Sequence, residues 1–173
     1  MNNLPPFKMY ITGVPGTGKT KVARKLSQLQ SLEYIEINSV VLDEGFYLGY
    51  DINRDSVIID EDLLVLHLES LMANYRRLCL VGGVIPIKSS IDLVVVLRCR
   101  VPILRERLQA RKYSNEKIEE NIEAEIMDIM YYDALELMTA KKVIEVSNDI
   151  NTIDETCNQI ISLIQQHFPS NLV

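Results

Sequence analysis

One short segment constrains this chain more than any other: Gly13-Val14-Pro15-Gly16-Thr17-Gly18-Lys19-Thr20. It matches the pattern G-x-x-x-x-G-K-[ST], whose chemistry explains each position. Glycines let the backbone curl so that its N–H groups converge on an anion. A helix starting directly afterwards adds its positive end to the same point. The flanks supply that context. Residues 7–12 read as a strand, and 18–30 as a helix with Val22, Leu26 and Leu29 at helical spacing. Lys19 can then reach the β- and γ-phosphates of a nucleotide, and the Thr20 hydroxyl can take a magnesium ligand position. Gly13, Gly16, Thr17, Gly18, Lys19 and Thr20 are therefore expected to hold ATP with Mg2+, with Lys19 also neutralising charge during transfer.

The rest of the chain alternates between apolar runs and helical patterns. Strands are predicted over 34–37, 78–81, 93–97 and 142–146. The runs at 78–81 and 93–97 are continuously apolar, as strands buried on both faces must be. Helices are predicted over 62–75 (Leu63, Leu66 and Leu71 on or near one face), 100–111, 114–138 (Ile118, Ile122, Ile126 and Ile129 inward) and 152–167. Strand and helix in repetition imply a three-layer α/β fold with a mostly parallel, five-stranded sheet. No linker or repeat divides the chain, so residues 1–173 are expected to form a single domain.

Composition narrows the partners. Net charge is −6, from 18 basic and 24 acidic side chains, which disfavours broad nucleic-acid binding; direct sequence-specific binding is not expected either. Cys79, Cys99 and Cys157 form no CxxC pair, so neither a disulfide framework nor a zinc site is suggested. Cys79 and Cys99 lie in apolar runs and are expected to fill core space. Residues 1–7 contain no apolar signal core, and no apolar run has bilayer length. A cytoplasmic protein with no membrane partner is the expectation.

Phosphate-loop chemistry usually places a carboxylate near the metal, at the end of a neighbouring strand. Leu78-Cys79-Leu80-Val81 ends instead in Gly82-Gly83. Val57-Ile58-Ile59-Asp60-Glu61 resembles such a site by pattern, yet Asp60 can equally begin a helix and cap its exposed N–H groups. The acids Glu119, Glu120, Glu123 and Glu125 read as a solvated face. Basic residues cluster where strand 93–97 ends. Arg98 and Arg100 close the strand, and Arg105, Arg107 and Arg111 follow on the next helix. Arg107 and Arg111 share a helix face. They are placed to hold transferring phosphates as bidentate donors, whereas Arg100 and Arg105 read as well as a solvated, acid-paired face.

The chain resembles the adenylate kinase isoenzyme 6 family, the nuclear-type adenylate kinases with archaeal relatives. The phosphate loop carries part of the resemblance. Gly49-Tyr50-Asp51 with Ile59-Asp60-Glu61-Asp62, and Val96-Leu97-Arg98, carry more. The most selective segment runs Arg107-Leu108-Gln109-Ala110-Arg111-Lys112-Tyr113-Ser114, continuing through Lys117, Asn121 and Ala124-Glu125. The resemblance implies a nucleoside monophosphate kinase fold with an AMP-binding segment at about 36–59 and a short lid at about 110–120. It implies the reaction ATP + AMP = 2 ADP, with ATP hydrolysis as a second activity. It also implies Lys21 beside the ATP phosphates, Arg107 and Arg111 facing the transferring group, and a small-subunit ribosomal protein as partner in ribosome maturation. Two features depart from the family pattern. Val81 and Gly83 stand where an acid and a histidine are usual, and Lys112 replaces a lid glycine.

Overall fold

The computed structural model describes residues 4–52, 54, 56–149 and 152–171. Strand β1 (Phe7–Thr12) lies at the centre of a five-stranded sheet. It pairs in parallel with β5 (Arg77–Val81) on one side and β6 (Ile91–Arg98) on the other. Strand β2 (Glu33–Glu36) adds to β5, and β7 (Ala140–Ser147) adds to β6, both in parallel. The order is β2-β5-β1-β6-β7. All the pairings of this sheet are parallel.

Alternation along the strands sends side chains to both faces. Phe7, Met9 and Ile11 meet Val22 and Leu26 of α1 (Lys19–Leu29) and Cys157, Ile160 and Ile164 of α7 (Ile153–His167). Tyr10, Val94 and Val96 meet Leu64, Leu68 and Met72 of α3 (Glu61–Asn74), and Ala134 of α6 (Ile129–Leu137). Helices thus cover both sheet faces, giving three layers. Each fully buried Leu or Ile contributes about 1.5–3 kcal/mol of transfer free energy. A third cluster joins the phosphate loop to its neighbours: Val14 packs with Leu104 and Leu108 of α4 (Val101–Ala110) and with Ile118 and Ile122 of α5 (Asn115–Ile126).

Three expectations are corrected. The helix predicted over 114–138 is two helices, α5 and α6. The break falls at Asp128, which takes a left-handed φ of 56°, a conformation that Asp tolerates better than most residues. Arg98 holds its carboxylate at 2.5 Å. Beyond the last core contact of α5, Ile126 is exposed. In α3 the inward stripe is Leu64, Leu68 and Met72, and Leu63 and Leu66 face water. Neighbouring leucines offered two possible stripes there, and sequence spacing alone could not select between them. Finally, residues 37–59 hold elements that the sequence reading passed over. Helix α2 (Ile37–Glu44) is followed by an antiparallel pair, β3 (Tyr47–Asp51) and β4 (Ser56–Ile59). No helix among the described residues is long and apolar enough to cross a membrane.

Candidate active site

The phosphate loop joins β1 to α1 at the carboxyl end of the sheet, where ligands of parallel α/β folds collect. Gly13 has φ 141°, and a Cβ there would stand 2.5 Å from the carbonyl oxygen of Leu97. Gly18 has φ 92°, and a Cβ there would stand 2.5 Å from Asn148 Nδ2. Both positions combine positive φ with no room, so glycine is required twice over. Thr17 is buried and its Oγ1 donates to the Val14 carbonyl at 2.9 Å, closing the loop on itself. Gly13 and Thr17 therefore form the back of the loop, while Gly16, Gly18, Lys19, Thr20 and Lys21 line a cleft of about 860 Å3.

The Lys19 ammonium donates to the carbonyls of Gly13 at 2.7 Å and Val14 at 3.1 Å. Burial, and then the nearby Arg111 charge, push its pKa down to about 8, against the opposing pull of Glu36 and Glu125. A polyphosphate beside this amine would favour the charged form again. The Thr20 hydroxyl donates to Glu36 Oε1 at 2.8 Å. Glu36 is the last residue of β2, and the sequence reading gave it no role in the site beyond its place at the start of the 36–59 segment.

Arg107 and Arg111 both reach the cleft wall. Arg111 is exposed at the end of α4. The Arg107 guanidinium is engaged with backbone: Nη1 donates to the Asn148 carbonyl at 2.8 Å and the Gly16 carbonyl at 3.3 Å, and Nη2 to the Asp149 carbonyl at 2.8 Å. It thereby ties the phosphate loop to the turn after β7.

Asn148 is the second residue that the sequence reading missed. Its Nδ2 donates to the Thr17 carbonyl at 2.6 Å, and its Oδ1 accepts from Thr156 Oγ1 at 2.8 Å. Its backbone N–H donates to the Arg98 carbonyl at 2.8 Å. Ser147-Asn148-Asp149 reads as a turn after a strand, but nothing local names the loop it grips 131 residues away.

The remaining charged candidates are occupied elsewhere. Arg100 Nε pairs with Asp149 at 2.6 Å, and Arg105 pairs with Glu119. Arg98 turns to Glu125 at 2.8 Å, Asp128 and Glu145. Glu125 is buried, contrary to the solvated-face reading, and also accepts from the Cys99 N–H at 2.9 Å. A helical period of 3.6 put it next to Ile122 on the inner edge of α5. Asp60 caps α3, accepting from the Leu63 N–H at 3.2 Å. All three cysteines are buried thiols. Among the described residues no cluster of three metal-binding side chains exists.

A parallel sheet, a glycine loop at its carboxyl edge, an invading lysine and arginines across the cleft define a P-loop kinase-type phosphotransferase. Comparison with known proteins gives the particular group. A family model described as an AAA domain matches residues 10–128. A Methanosarcina barkeri protein named "Putative adenylate kinase" is 36% identical over 166 residues, 93% of this chain and 87% of that one. The adenylate kinase isoenzyme 6 homolog of Saccharomyces cerevisiae is 40% identical over 144 residues, 82% of this chain and 73% of that one. Among solved structures, a shikimate kinase from Bacteroides thetaiotaomicron superposes with a TM-score of 0.63 at 13% identity, covering 92% of this chain and 98% of that one. A gluconokinase from Sinorhizobium meliloti gives 0.56 at 14%, covering 95% and 94%. These two share the fold. The chain belongs to the adenylate kinase isoenzyme 6 family.

Proposed function

We propose that the protein transfers the γ-phosphoryl group of ATP to AMP, giving two ADP. The observation that carries this reading is the cleft itself. Lys19, Thr20, Arg107 and Arg111 line one space against the phosphate loop. The relatives' names supply the nucleotide acceptor class.

ATP phosphates would lie on the N–H groups of residues 16–20, with Lys21 at the entrance. The Lys19 ammonium would leave the loop carbonyls for the β- and γ-oxygens. Magnesium fits the local chemistry, because Thr20 and Glu36 bring hydroxyl and carboxylate oxygens together, the donors a hard cation prefers. Thr20 would hold it, and when bound it offsets phosphate charge. Arg111 would meet the transferring group directly. Arg107 would do so by exchanging carbonyl partners for phosphate. An AMP phosphate oxygen is already a nucleophile, so the transfer needs no general base. Hydrolysis must instead position a water molecule.

The acceptor segment in this reading is 36–59, which contains α2 and the β3–β4 pair; residues 53 and 55 lie outside the described residues. The lid is 110–120, the turn after α4 and the first part of α5. Residues 1–173 act as one kinase domain in the cytoplasm. A coupled assay is expected to show ADP formation from ATP and AMP well above ATP hydrolysis alone. Hydrolysis without AMP stimulation would overturn the assignment.

The family resemblance adds a small-subunit ribosomal protein as a partner. Leu48, Ile52 and Ile58 leave an apolar surface in water on the acceptor segment, where a protein could dock. If that partner is bound in a nucleotide-gated way, pull-down with and without ATP will differ; binding indifferent to nucleotide would remove the gating.

A further inference from the structure

The strand end beside the phosphate loop where a carboxylate is expected carries Val81, Gly82 and Gly83. Glu36 is the register partner of Val81 on the adjoining strand β2. Its carboxylate therefore stands one strand farther out, at the same level of the sheet. Among the described residues lining the cleft, Glu36 is the one acid.

Its contacts point into the site. Oε1 accepts from the Thr20 hydroxyl at 2.8 Å, and Oε2 accepts from the Tyr34 hydroxyl at 3.0 Å. A structural role explains little of this. Glu36 precedes α2, but its side chain makes no cap hydrogen bond there. Arg24 approaches only to 3.6 Å and is largely exposed, and such pairs contribute little.

We propose that Glu36 is the positioning carboxylate for the ATP-bound magnesium ion, supplied from β2 in place of the missing acid on β5. This rests on the reading of the phosphate loop as an Mg-ATP site. The Thr20 hydroxyl has one proton to donate. Giving it to Glu36 leaves the Thr20 oxygen lone pairs for a cation. The remaining carboxylate lone pairs would be available to hydrogen-bond the hydration shell of a magnesium ion held by Thr20. Outer partners of this kind typically change metal affinity by about 10–100-fold.

The test measures ATP affinity by calorimetry, in Mg2+ and in EDTA, for the native chain, Glu36→Gln and Glu36→Asp. The native chain is expected to bind ATP in EDTA and more tightly in Mg2+. Glu36→Gln is expected to lose about tenfold of that Mg2+ enhancement, while affinity in EDTA is unchanged or improved, because a negative charge has left the phosphate site. Glu36→Asp keeps the charge and should recover part of the enhancement. In Thr20→Val, adding Glu36→Gln should remove no further Mg2+ enhancement, since the two act as one unit. Full enhancement in Glu36→Gln overturns the proposal, as does an equal loss of affinity with and without Mg2+. A native chain that binds no ATP in EDTA contradicts the phosphate-loop reading instead, so the two failures are distinct.

Discussion

The loop at residues 13–20 and the β3–β4 hairpin belong to the same proposed reaction but are held in different ways. The loop is clamped from several sides. Leu97 and Asn148 crowd its glycines, Thr17 is tied to Val14, and Arg107 bridges Gly16 to the turn after β7. The hairpin is anchored at its base, where the Asp60 backbone N–H donates to the Phe46 carbonyl at 3.0 Å and Phe46, Val57 and Ile59 lean on the core. Tyr47, Leu48, Tyr50 and Ile58 face water. Phosphate binding needs N–H groups fixed before the ligand arrives, because preorganised dipoles cost no reorganisation during reaction. Recognition of a second substrate or a partner needs surface left open.

If this contrast is right, damage to the loop should be severe and damage to the hairpin mild. The largest effect is expected from Lys19→Met. Phosphoryl transfer should fall by about 10²–10³-fold, with the thermal midpoint unchanged or raised, since a buried amine is removed. Unchanged turnover and ATP affinity would falsify the site. Next comes Gly13→Ala, which forces a Cβ against the Leu97 carbonyl at positive φ. A loss of about 3 kcal/mol in urea unfolding is expected; full stability would show that the loop can shift. Glu125→Ala should cost about 2 kcal/mol, reduced from the value for a fully buried pair because Arg98 is part-exposed. It strands the Cys99 N–H and removes the acceptor of Arg98 Nε, while Asp128 and Glu145 still hold the rest of the guanidinium. Lys112 sits at φ 59° in the lid, where a side chain is strained, so Lys112→Gly should be stabilising by about 0.5–1 kcal/mol. A destabilised variant would mean that the lysine side chain offsets that strain. Smallest in stability is Leu48→Ser on the hairpin, expected within about 0.5 kcal/mol of the native chain. It should raise KM for AMP, or weaken partner capture, and leave ATP affinity alone.

Much of the fold was legible because buried parallel strands and phosphate loops leave local marks. Residues 7–12 could be read as β1 from their apolar run, and 152–167 as a helix from Thr152, whose capping box with Glu155 is present. The hairpin was less visible. Tyr47, Gly49 and Tyr50 show no clean alternation, and a register shift interrupts the pairing between Tyr47 and Gly49. Glu125 was misread because an acid among acids on a helix looks solvated until its buried neighbour is known.

Sequence alone determined the glycine loop, the lysine that fills it and the parallel sheet that carries it, since backbone sterics and hydrophobic periodicity act over a few residues. Tertiary structure decided which acid meets Thr20, that Asn148 and Arg107 bind the loop to the turn beyond β7, and where the helix over 114–138 breaks. Those depend on strand order and on contacts between residues far apart in the chain, and a one-dimensional pattern does not encode which distant hydrogen-bond partners will satisfy one another.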